Sequence, residues 1–214
     1  HLAMTGFGGA FLLTVALKYF FNEHKTVHWI SIIEQPLTKL GKMVSFDLGV
    51  AIVVVYTISR FLSTESEQLT FLVAGVFGLL TFIAVDGIGA ILTPSHAAKS
   101  GIAMFLYLEV LDASFSFDGV IGAFALTNNL LLIMVGLGIG AMYVRSLTVF
   151  MVDRKTLTTF IFLEHGAFYA VAALAILMLL QALIHVPEAL VGLLGAAFIV
   201  LSVFSSLNAN KKRV

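Results

Sequence analysis

Seven stretches of this chain reach the ~17 mostly apolar residues that a helix needs to cross a bilayer: Leu2–Asn22, Phe46–Leu62, Leu69–Leu92, Gly101–Thr127, Leu130–Val152, Phe160–Ile184 and Ala189–Leu207. Hydrocarbon offers no water to backbone polar groups, so each stretch has to bond its own N–H and C=O groups as a helix. Composition agrees. Hydrophobic residues make up 60% of the chain and charged residues 11%, against about 25% charged in a soluble domain, and the mean hydropathy is +1.05. The expected fold is all-α, a polytopic transmembrane helix bundle of about seven spans, in an integral membrane protein of the bacterial inner (plasma) membrane.

Charge sets the expected orientation. One side's loops hold Lys25, Lys39, Lys42, Lys99, Arg154, Lys155, Lys211, Lys212 and Arg213, and the other side's hold Arg60, while Lys18 and Arg145 stay within spans. The positive-inside rule then places the C-terminal tail in the cytoplasm. Topology alone accounts for the basic tail, so no nucleic-acid partner is expected. The absence of cysteine excludes disulfides and thiolate metal sites. The chain also lacks HExxH, GxSxG and a helical Glu-x-x-His, which argues against a metalloprotease, a serine hydrolase or a di-iron enzyme. No enzymatic activity and no permanently bound cofactor are expected.

The polar linker His24–Lys42 carries Ile30, Ile33, Leu37 and Leu40 at helical spacing beside Trp29. It reads as an interfacial amphipathic helix broken near Pro36, and in the plainest terms as a surface connector. An offset of 157 residues aligns Gly9-Ala10-Phe11 with Gly166-Ala167-Phe168 and Ala16-Leu17 with Ala173-Leu174, a weak internal repeat of the kind common in secondary transporters. Two helices before span six then lack counterparts before span one, and the sequence opens on His1. The expectation is the second half of an inverted-repeat fold whose N-terminal repeat is missing. Its parts would be 1–44, the last helix of the first repeat with the amphipathic linker; 45–100, two connecting helices; 101–207, the second repeat; and 208–214, a basic tail. The glycines at 136, 138, 140, 192 and 195 lie in apolar helices and read as sites of close helix packing.

Glu109, Asp112 and Asp118 all lie in the one span Gly101–Thr127. A carboxylate costs at least ~2.5 kcal/mol at the centre of a lipid-facing helix, so these acids must face protein, water or a cation. Glu109 and Asp112 share a helix face; Asp118 points the other way unless the helix is interrupted, for which Ser114, Ser116 and Gly119 supply suitable residues. Arg145, at a depth similar to Glu109 in the next span, is the expected partner of Glu109 or Asp112 in a structural ion pair. Asp118 lies deeper, with no basic residue evidently level with it, and is the better ligand candidate, with a solvated or protonated structural acid as the alternative. Asp86 and Glu164 sit near the cytoplasmic ends of their spans, where interfacial solvation suffices. These five acids against Lys18 and Arg145 leave three charges for a cation or protons to balance.

The segment Leu108-Glu-Val-Leu-Asp-Ala-Ser-Phe-Ser-Phe-Asp-Gly-Val-Ile-Gly-Ala-Phe-Ala-Leu-Thr127 resembles the acidic helix of the TerC family of integral membrane proteins. Val144-Arg145-Ser-Leu, Phe162-Leu-Glu-His-Gly166 and His185-Val-Pro-Glu188 are similar to later landmarks of that family. The closest likeness is to a TerC-like branch of uncharacterised membrane proteins. The resemblance implies a member of the LysE-type transporter superfamily, associated with tellurium resistance and with manganese handling, with one acidic helix in each repeat. This sequence departs from the pattern in showing a single acidic helix and in having Gly119 where many members have Asn or Ser.

Two functions follow as expectations. The first is transport or export of a divalent cation, with Asp118 as principal ligand, Asp112 or Glu109 as second, and Ser116 or backbone carbonyls completing an oxygen shell suited to Mn²⁺, Mg²⁺ or Ca²⁺. The second is a non-transporting membrane scaffold that binds partner proteins in a stress or tellurium-resistance system. The expected partners are the lipid bilayer and a metal ion, with association to a second copy or to other membrane proteins left open.

Overall fold

A computed structural model describes residues 2–23, 25, 27–41, 43, 45–92, 120, 129–153, 160–184 and 186–211. Every secondary-structure element among them is helical: α1 Leu2–Phe20, α2 Ser31–Leu40, α3 Phe46–Arg60, α4 Glu65–Leu92, α5 Leu130–Asp153, α6 Leu163–Leu180 and α7 Glu188–Lys211. Five contain segments long and apolar enough to cross a membrane, at Leu2–Phe20, Glu65–Gly87, Leu130–Phe150, Leu163–Leu180 and Leu190–Lys211. The protein is a polytopic helical membrane bundle.

Helix α1 is the centre of the bundle, packed against α4 on one flank and α6 on the other. Its sequence explains why. Gly6, Gly9, Ala10 and Ala16 remove bulk, while the buried Thr5 and Thr14 hydroxyls donate to the carbonyls of Leu2 and Ala10 at 2.9 and 2.8 Å, so no polar group is stranded. A Cβ built on Gly6 would lie 2.8 Å from the Phe71 carbonyl oxygen, and one on Gly78 would overlap the Phe7 carbonyl oxygen. Small residues therefore let α1 and α4 meet backbone to backbone. Phe11 and Phe71, with 1% and 0% exposure, fill the seam beside Phe82.

These contacts also fix directions. Gly6 meets Phe71, Phe11 meets Phe82 and Lys18 meets Asp86, so α1 and α4 run parallel. Gly9 meets Leu179 and Tyr19 meets His165, so α6 runs antiparallel to α1. Helix α7 returns antiparallel to α6, with Gly166 against Ser202 and the Phe162 N–H donating to Ser206 Oγ at 3.0 Å. For α1 and α4 to be parallel, α3 must carry the chain back between them. It starts where Phe21 meets Phe46 and ends beside Gln68, whose amide donates to the Leu62 carbonyl at 3.0 Å. With 15 residues α3 rises about 22 Å, short of a full span, and it is not among the five segments long and apolar enough to cross, while the expected span Gly101–Thr127 lies outside the described residues.

Several expectations are corrected. Helix α2 is not broken at Pro36, which lies inside it. Ile33 and Leu40 of its apolar stripe are 49% and 41% exposed, which does not contradict an interfacial helix; the unexpected feature is that Glu34 is the buried residue. Gly136, Gly138, Gly140 and Gly192 have no described heavy atom within 4 Å of a built Cβ, and Gly195 has Ala170 Cβ at 4.0 Å, so among the described residues close packing falls instead at other glycines, Gly6, Gly9, Gly75, Gly78 and Gly166 among them. Helix α5 is exposed along nearly its whole length, with Ile133 buried near its start.

Gly78→Ala is expected to destabilise the bundle by about 1–3 kcal/mol, because the new methyl meets a backbone oxygen that cannot swing aside. Gly136→Ala should leave the detergent-solubilised protein's unfolding temperature unchanged or slightly raised. Equal effects of the two substitutions would contradict the packing described.

Candidate functional site

The polar centre of the described structure lies where the end of α1, the start of α6 and the linker helix α2 meet. Glu34, in the first turn of α2, has no exposed surface. Its Oε1 accepts from the backbone N–H groups of Trp29 and Ile30 at 3.3 and 3.2 Å, so the side chain caps its own helix, whose positive end favours the charge. The Tyr169 hydroxyl of α6 donates to the same oxygen at 3.3 Å. Around Oε2 gather the Lys25 ammonium at 2.9 Å, His28 Nδ1 at 3.3 Å and His165 Nε2 at 3.5 Å.

Lys25 is itself buried, with 8% of its side chain exposed. Its Nζ is 4.0 Å from the Tyr19 ring centroid and 5.2 Å from that of Phe20. The ammonium lies off hydrogen-bonding geometry with Glu34, so the pair holds by Coulomb attraction and by the ring faces. Aromatic packing surrounds it: Tyr19 stacks on Phe168 at 3.7 Å, Trp29 meets Tyr169 edge-on, and Tyr169 stacks with Phe198. The His165 ring nitrogen Nε2 lies 2.8 Å from the Val27 carbonyl oxygen, fixing Nε2 as the donor, and buried Nδ1 has no partner among the described residues. Burial opposes ionisation of Glu34, but Lys25, the Ile30 N–H and His165 outweigh it and hold the carboxyl below its ordinary 4.5.

The chemistry of this cluster is that of a clamp. Its carboxylate is saturated with donors and cations, and no group of three His, Cys, Asp or Glu residues able to hold a metal occurs among the described residues. A second, looser pair joins Lys18 of α1 to Asp86 of α4, with the two side chains 49% and 44% exposed. That contact ties the cytoplasm-expected ends of the two parallel helices.

The residues predicted as metal ligands, Glu109, Asp112, Ser116 and Asp118, lie outside the described residues. The expected ion pair of Arg145 with Glu109 or Asp112 and the interruption near Ser114–Gly119 lie outside them too. Arg145 itself is exposed on α5, and Glu164 is exposed at the start of α6. Asp86 is a salt-bridge partner of Lys18. The Glu34 cluster was missed by sequence reasoning, although a signal existed: Glu34 lies on the same i, i+3, i+4, i+7 stripe as Ile30, Ile33 and Leu37. A charge set in an apolar stripe marks a buried partner as readily as a surface.

Removing one member of a buried pair leaves the other uncompensated, so Glu34→Ala is expected to cost about 3–5 kcal/mol, and the double change Glu34→Leu with Lys25→Met much less. Trp29 is the sole tryptophan, so its emission reports whether α2 stays docked; a red shift should accompany Glu34→Ala. Since folding lowers the Glu34 pKa, the unfolded chain binds more protons near that value. The stability Glu34 contributes is then fully present above pH 4.5 and is lost as pH falls through the lower folded value. Thermal unfolding of the solubilised protein across that range checks the sign, and a clamp strengthening on acidification would refute it.

No curated protein and no solved structure matches this chain. The family DUF475, described as "protein of unknown function", matches residues 1–213, and by that near-complete match the chain belongs to the DUF475 family.

Proposed function

We propose that this protein transports or exports a divalent metal cation, manganese foremost, through an intramembrane carboxylate site on the segment that carries Glu109, Asp112, Ser116 and Asp118. The observation that carries the reading is how the other acids are satisfied. Glu34 is neutralised by Lys25, Asp86 is paired with Lys18, and Glu164 is exposed at a helix end. Glu109, Asp112 and Asp118, which lie outside the described residues, are the further acids that the sequence sets deep within a span, and Arg145 is expected to balance one of them. The rest call for a cation or protons, since unpaired intramembrane carboxylates are too costly to keep. Hard oxygen ligands without cysteine favour Mn²⁺, Mg²⁺ or Ca²⁺, and the likeness of Leu108–Thr127 to the TerC acidic helix adds to the case for manganese.

Asp118 is the principal ligand in this reading, Asp112 or Glu109 the second, and alternating access moves the ion. The C-terminus is cytoplasmic. Lys25 and Lys39 of the linker and Lys211 at the end of α7 lie at one end of the bundle, and Arg60 lies at the other, in the sense the positive-inside rule requires.

Asp118→Asn keeps side-chain shape and one carbonyl oxygen but loses the charge that balances a divalent ion. It is expected to abolish saturable Mn²⁺ flux in proteoliposomes of the full-length protein while leaving its unfolding temperature near wild type. Wild-type flux in this variant would refute the assignment. Absence of Mn²⁺ flux in the parent would favour the scaffold alternative.

A further inference from the structure

Helix α2 is built inside out for a helix that docks on a protein. Its one buried side chain is the charged Glu34, while Ile32 is 86% exposed, Ile33 49%, Leu40 41% and the neighbouring Met43 59%. Ile32, Pro36 and Leu40 recur every four residues and form a continuous outward stripe. With Ser31, Gln35 and Lys39 they line a shallow groove of about 430 Å³. An apolar stripe left outward on a helix whose inward contact is made by a buried carboxylate is the pattern of a helix whose second contact is itself apolar.

The depth of α2 identifies that contact. Glu34 binds Tyr169 and His165 in the first two turns of α6 and, through Lys25, Tyr19 in the last turn of α1. Both helices are membrane spans, so α2 is held level with their ends. Trp29, Tyr19 and Tyr169 gather at that same level, as expected of aromatic residues at the boundary between headgroups and acyl chains. Lys39, exposed beside the stripe, suits an anionic headgroup. We propose that the outward face of α2 is a membrane-contact surface: Ile32, Ile33, Pro36, Leu40 and Met43 lie among phospholipid acyl chains just beneath anionic headgroups, and the Glu34 clamp sets that depth. This inference is independent of the transport reading.

The chain has no cysteine, so Ile32→Cys and Met43→Cys give single sites for an environment-sensitive fluorophore. Ser66→Cys, on the exposed first turn of α4, serves as an aqueous reference. The full-length protein is reconstituted in phosphatidylcholine/phosphatidylglycerol vesicles containing lipids brominated either near the headgroup or near the chain end. Labels at 32 and 43 are expected to lose fluorescence to the shallow-brominated lipid more than to the deep one, placing them about 5–10 Å below the headgroups, and to resist iodide. The label at 66 should respond to iodide. Iodide quenching at 32 and 43 equal to that at 66 would overturn the proposal. Protection of both sites from iodide and from brominated lipid alike would also overturn it, because protein would then cover the face.

Discussion

A carboxylate with no exposed surface at the edge of the hydrocarbon must be neutralised by its neighbours, and the ends of α1, α2 and α6 are arranged around that requirement. Glu34 takes two backbone donors from the turn that leads into its helix, a hydroxyl from Tyr169, and the charge of Lys25. The partners come from the linker between α1 and α2 and from α6. Once they converge, α2 is pinned, the connection between α1 and α3 is fixed, and His165 is drawn against the Val27 carbonyl. An ion pair of this kind adds little net stability over a well-packed apolar substitute, but breaking half of it is costly. Its effect is to specify where α2 sits.

The same economy of charge runs through the rest of the bundle. The parallel course of α1 and α4 brings Lys18 level with Asp86, and glycines at 6 and 78 let the two backbones approach closely enough for that pair to form. Two basic residues near the C-terminal end of α1, Lys18 and Lys25, are thus engaged by Asp86 and Glu34. Glu109, Asp112 and Asp118 lie outside the described residues, and their concentration in one apolar segment of the sequence is what the cation-transport proposal rests on.

The spans were legible in the sequence because hydrocarbon imposes one simple rule on length and polarity, and α1, α4, α5, α6 and α7 obey it. Helix α3 was legible as an apolar helix, although its 15 residues fall short of the expected full span. The apolar stripe of α2 was legible, but the burial of Glu34 was not, because helical periodicity identifies a stripe without saying what covers each residue of it. Ile33 and Glu34 lie on the same stripe, yet Ile33 is exposed and Glu34 is buried beside Lys25. Close-packing glycines were misplaced for a related reason: Gly136 and Gly138 stand in as apolar a setting as Gly6 and Gly78, and only the neighbour's backbone distinguishes them. Lys18 and Asp86 were counted among the charges but not matched, since their pairing depends on two helices running parallel, which no local pattern encodes.

The central proposal is that a cation balances the carboxylates of the segment Gly101–Thr127, whereas Asp86 and Glu34 are balanced by lysines. Its most direct test is equilibrium Mn²⁺ binding to the purified full-length protein, read from the electron paramagnetic resonance signal of free Mn²⁺. The account predicts saturable binding that survives Asp86→Asn and Glu34→Gln, provided those proteins remain folded, and disappears when Glu109, Asp112 and Asp118 are together replaced by their amides. Saturable binding that persists in the triple variant, or is lost on neutralising Asp86 in a folded protein, would contradict it.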